Sequence, residues 1–155
     1  MFFTDPAAAF TNIARALRPG GRLVQLVWQD GDRQEWATAI SKALSDGSPE
    51  PVAGAPFSLA DPVVVCDVLG SAGLADAELA DAELAELSEP INYGPRAEAY
   101  DFVLGLELAR DLLARLDAGR VPAALDRLRA LLAAHETSAS VRFESHAWLV
   151  TARRY

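Results

Sequence analysis

The chain has 155 residues, 51% hydrophobic and 23% charged, which is enough apolar material for a sizeable core and too much for a disordered segment. Lys plus Arg number 14 against 22 Asp plus Glu, and the net charge of -8 excludes a nucleic-acid backbone or an anionic membrane as the expected partner. A single cysteine, Cys66, and an N-terminus with neither a basic region nor a long apolar run predict a cytoplasmic protein without a leader or a membrane span.

The first predicted element is a helix opened by Thr4 or Asp5 as cap and by Pro6 at its first position, where a missing N–H costs nothing. Phe10, Ile13 and Leu17 recur on one face, and Pro19-Gly20-Gly21 ends the helix. Leu23 to Trp28 follows as an apolar run interrupted only by Gln25. Such a run predicts a strand covered on both faces, as in a parallel sheet. A second helix is expected over Gln34 to Leu44, then a Pro-, Gly- and Ser-rich loop from Ser45 to Phe57. Asp61 and Pro62 open a third helix, Val63 to Ala72, ended by Gly73. Residues 75–84 repeat Ala-Asp-Ala-Glu-Leu twice, too briefly for a solenoid, and a strand is placed at about Ala82 to Tyr93. Arg96 to Ala134 reads as two or three helices broken near Gly119 and Pro122, and Val141 to Ala152 alternates as a final strand.

Several of these segments, in order, resemble the C-terminal portion of class I S-adenosylmethionine-dependent methyltransferases. Leu17-Arg18-Pro19-Gly20-Gly21-Arg22-Leu23 is similar to the turn before that family's fifth strand, and Met1-Phe2-Phe3-Thr4-Asp5-Pro6 to the exit from its fourth. Pro56 to Pro62, with Ser71-Ala72-Gly73-Leu74, resembles the stretch before its sixth strand, and Ala147 to Arg153 resembles its last. The resemblance implies an α/β fold: a partial Rossmann-like methyltransferase sheet of family strands five to seven, with flanking helices and a helical insertion at about 96–134. The whole of 1–155 would then be the C-terminal part of one domain. The Gly-rich turn that grips the cofactor, and the acidic residue that holds its ribose, have no counterpart here. Gly20-Gly21 precedes a strand rather than following one.

By the same resemblance, Phe3 and Asp5, with Phe2, flank the reactive end of S-adenosylmethionine. Trp28 and Gln29, before Asp30, border a small-molecule acceptor, and Tyr93 and Tyr100, with Phe102, cover it. Ordinary structural roles, a helix cap and a hydrophobic staple, fit Phe2, Phe3 and Asp5 equally, and a strand-terminal aromatic, a polar loop start or core packing fits the others better than a substrate role. Weak or no cofactor binding is expected of this chain alone. Without the fourth strand, Leu23 to Trp28 becomes an open edge, which predicts a homo-oligomer or a partner covering it. The alternative is a non-catalytic dimerisation or partner-binding remnant of the fold. His135 and His146 stand apart from any second ligand, so no metal site is expected. Cys66 reads as a small buried apolar residue and the glutamates at 78, 83, 86 and 89 as a solvated face. The sequence singles out no catalytic residue.

Overall fold

A computed structural model describes residues 3–45, 54–74, 83–88 (backbone only) and 90–154. Phe2, the loop residues 46–53, most of the tandem repeat (75–82) and the side chains of the acidic run lie outside the described residues. In chain order the elements are α1 (Pro6–Ala16), β1 (Arg22–Trp28), α2 (Glu35–Leu44), α3 (Pro62–Ser71), β2 (Glu83–Ser88), β3 (Ile91–Asn92), α4 (Arg96–Gly105), α5 (Glu107–Ala114), α6 (Val121–Ala134), β4 (Arg142–Phe143) and β5 (His146–Arg153). This is a mixed α/β chain with two small antiparallel sheets. It divides into two compact units, residues 1–30, 53–88 and 146–155 in one and 31–52 and 89–145 in the other.

In the first unit β5 lies between β1 and β2 and is antiparallel to both, from Arg22 opposite Arg153 to Trp28 opposite Ala147. Two helices cover one face of this sheet. Phe10 and Ala14 of α1 and Val65 and Leu69 of α3 bury against Val27, Val150 and Ala152. Each fully buried Phe or Leu contributes about 1.5–3 kcal/mol, so this face is the source of the unit's cohesion. The ends of both helices are set locally. Asp5, rather than Thr4, caps α1 by accepting from the Ala8 N–H at 2.9 Å. Asp61 caps α3 through the Val63 N–H at 2.8 Å, and each cap is followed by proline. At the other end of α1, Gly20 takes φ +74, a left-handed conformation that favours glycine, and the Gly21 N–H returns to the Arg18 carbonyl at 2.8 Å.

β1 departs from its expected burial. It is paired antiparallel on one side only, among the described residues, and Val24 and Leu26 are 58% and 54% exposed. An apolar run signals low polarity and not which faces are covered, so it does not distinguish a doubly covered parallel strand from an edge with an uncovered face. Cys66 is half-buried rather than buried, one position beyond the buried Val65 on α3.

The second unit is chiefly helical. Ile40 and Leu44 of α2, Val103 of α4, Leu128 and Leu132 of α6 and Phe143 of β4 form its core. Arg127 of α6 donates from Nε to the Ala43 carbonyl at 2.8 Å, closing the last turn of α2. The helices number three between Arg96 and Ala134. Leu106, in extended conformation, separates α4 from α5, and Pro122 stands in the first turn of α6. β3 and β4 form a short ladder, Ile91 opposite Phe143 and Asn92 opposite Arg142.

Two expected strands are thus each two strands. The one placed at Ala82 to Tyr93 divides into β2 and β3, and the one at Val141 to Ala152 divides into β4 and β5, with one piece of each in either unit. Pro90 lies in the first break, where it has no N–H to give a ladder. Glu144 and Ser145 form the second, where the Glu144 N–H goes to the Glu35 carboxylate at 2.7 Å instead.

Candidate functional site

The end of α1 and the start of β1 are joined by a tight turn in the first unit. The chain turns from α1 into β1 through residues 17–21, and the Arg154 N–H reaches the Gly21 carbonyl at 2.9 Å. The Arg154 guanidinium reaches back to the last carbonyls of α1, those of Ala14 at 2.8 Å, Arg15 at 3.1 Å and Leu17. The helix C-terminus therefore sits by the strand's beginning. Ligands of open α/β sheets bind outside the carboxyl ends of strands.

Four of the six residues singled out from the sequence belong to this unit: Phe3, Asp5, Trp28 and Gln29. Phe3 is 45% exposed and sets its ring edge-on to Phe10, with centroids 5.9 Å apart. The Asp5 carboxylate holds the α1 cap. Trp28 is half-buried. Gln29 is buried, its Nε2 donating to the Ala147 carbonyl at 3.2 Å and its backbone N–H to that of His146 at 3.1 Å. Of these four, Phe3 and Asp5 are exposed, while the polar groups of Asp5 and Gln29 already hold backbone.

Tyr93 and Tyr100 belong to the second unit. Tyr93 is half-buried between Phe102 and Phe143, edge-on to each at 5.4 and 5.6 Å. That burial pushes its phenol above the ordinary tyrosine range, because the phenolate is the costlier form out of water. Tyr100, two residues before Phe102 on α4, instead meets α6: the Arg129 guanidinium lies 5.0 Å from its ring centroid. Arg96, Tyr100, Asp101, Arg129 and Leu132 line a groove of about 530 Å³. Its two guanidiniums carry acidic partners, Glu136 at 3.3 Å from Arg96 and Asp126 at 2.7 Å from Arg129. Nothing in the sequence spacing marked Arg96 and Arg129 as neighbours of Tyr100, since the grouping depends on how α4 and α6 pack.

A second grouping absent from the sequence reading joins residues 100 positions apart. His135 Nε2 lies 3.2 Å from Glu35 Oε1, its Nδ1 lies 3.0 Å from the Leu131 carbonyl, and its ring stacks on Phe143 at 4.3 Å. With both nitrogens engaged, the ring serves as a tether between α2 and α6, not as an acid or base for a ligand.

The described residues do not fit an S-adenosylmethionine grip. Gly20 lies between helix and strand and Gly73 follows a helix. Gly94 does stand between a strand and a helix, but alone, and a Cβ there would meet Glu98 Oε2 at 3.2 Å, so a carboxylate already occupies that approach. Among the described residues no group of three or more His, Cys, Asp or Glu could hold a metal ion, and no helix is long and apolar enough to cross a membrane. In comparison with known proteins, no family model and no curated protein matches the chain.

Proposed function

We propose that this chain is the substrate-side part of an S-adenosylmethionine-dependent methyltransferase fold acting on a small molecule, without the cofactor grip. The observation that carries the reading is the order β1-β5-β2 with β5 antiparallel to both neighbours. β1, β2 and β5 are the segments likened to family strands five, six and seven, and they pair in one sheet. The Pro-Gly-Gly turn between α1 and β1, and the run of α4, α5 and α6 between β2 and β5, agree with it.

In such an enzyme the chemistry is chiefly positioning, with the acceptor atom held in line with the sulfonium methyl away from water. Phe3 and Asp5 would border the cofactor's reactive end, and Trp28 and Gln29 would serve the acceptor. The site would be cytoplasmic, consistent with one unpaired thiol at Cys66. No Gly-rich strand-to-helix turn stands within residues 1–155 to form the cofactor grip. Isothermal titration of S-adenosylmethionine into residues 1–155 is therefore expected to give no saturable heat, and micromolar binding would overturn the reading.

A second reading, a non-catalytic dimerisation or partner-binding module, is favoured by one observation. The polar groups of Asp5 and Gln29 are engaged in holding backbone, while the apolar side chains of Val24 and Leu26 on β1 stand exposed.

A further inference from the structure

β1 has the geometry of half an interface. The bond from the Gln29 N–H to the His146 carbonyl fixes the phase of its ladder with β5: odd-numbered residues exchange hydrogen bonds with β5. The N–H and C=O groups of Val24 and Leu26 therefore point to the opposite side, where β1 has no hydrogen-bonded strand among the described residues. Their side chains are the exposed ones. Between them, on the face that α1 and α3 cover, Gln25 carries a buried Nε2 with no hydrogen-bond partner among the described residues. A buried amide donor left unpaired costs about 1–3 kcal/mol.

We propose that β1 pairs antiparallel with β1 of a second copy of this chain, the two-fold axis passing at Gln25. The segment Arg22-Leu23-Val24-Gln25-Leu26-Val27-Trp28 is self-complementary about that residue. Val24 falls opposite Leu26 of the second copy in hydrogen-bonded pairs, using the outward backbone groups of both. The two exposed side chains and their two counterparts close into one apolar cluster. Arg22 falls opposite Trp28, a cation beside an aromatic face. Gln25 falls opposite itself in a non-hydrogen-bonded pair, the closer kind, with Cα atoms about 4.5 Å apart. Two amides at that distance exchange Nε2-to-Oε1 hydrogen bonds, which supplies the missing partner of the buried donor. Moving the axis to Val24 would set Gln25 opposite Leu23 and lose this exchange. The two three-stranded sheets become one continuous sheet, and the open edge disappears from both copies. This inference rests on strand geometry and not on the methyltransferase reading, so either can fail without the other.

The test is the mass of the full chain in solution by light scattering, with cross-linking to set the register. A dimer is expected. Val24→Lys combined with Leu26→Lys is expected to halve the mass, and circular dichroism should be unchanged because both positions are exposed in the single copy. In a Cys66→Ala background, Gln25→Cys is expected to form an intermolecular disulfide on oxidation. Leu26→Cys is expected not to, because its own counterpart is displaced by two residues along the strand. A monomer at every concentration, a dimer that survives the double lysine variant, or cross-linking through position 26 in preference to 25 would each overturn the proposal.

Discussion

Asp5, Gln29 and His135 each satisfy backbone or a neighbouring side chain, and at this scale polarity works to hold the fold. Tyr93 is the residue whose chemistry its surroundings alter most clearly. Burial favours its neutral form, so its folded pKa is raised above the ordinary value of about 10. The sign follows from proton counting. Below pH of about 10 the tyrosine is protonated in both states and the protein keeps its full stability; above it the unfolded state ionises first and stability falls. Tyr93→Phe is expected to remove that part of the alkaline loss. Urea unfolding on either side of pH of about 10 checks this, and an unchanged pH dependence in the variant would contradict it. Tyr93 was legible as an aromatic near the helical segment, whereas its partners Phe102 and Phe143 lie on two other elements, and sequence spacing does not encode their meeting.

Among the elements, α1 and α3 were readable because their signals are local: an aspartate cap, a proline in the first turn, a glycine in or just after the last. What closes α1 is not local. Arg154, near the far end of the chain, donates to three carbonyls at its C-terminal end, where a helix leaves acceptors unsatisfied and favours a cation. Arg154→Leu keeps the aliphatic contact but removes those bonds. It is expected to lower stability by about 1–3 kcal/mol in urea denaturation, with an unchanged midpoint as the contrary result. The strands were harder to read for a related reason. Alternation at Ala85, Leu87, Ile91 and Tyr93, and at Val141, Phe143 and Ser145, reads as one strand each time, but the backbone changes sheets at Pro90 and at Glu144-Ser145. Periodicity marks extended chain without naming the strand it pairs with.

At the scale of the whole molecule, two hydrophobic cores form in two units, and the chain crosses between the units several times. Long-range pairing decides this. Glu35 with His135, and Gln29 with Ala147, tie positions at least 100 residues apart, which no local pattern specifies. The α/β class was legible, because a helix, a tight turn and a strand in succession are marked by local signals. The openness of β1 was legible only through the family resemblance.

Reconstitution tests the functional reading most directly: titration of S-adenosylmethionine into this chain mixed with a polypeptide carrying the family's first four strands, Gly-rich turn included. The expected result is saturable binding by the mixture and none by this chain alone, with a one-to-one complex replacing the self-paired chain. A mixture that forms no complex and binds no S-adenosylmethionine would contradict the reading.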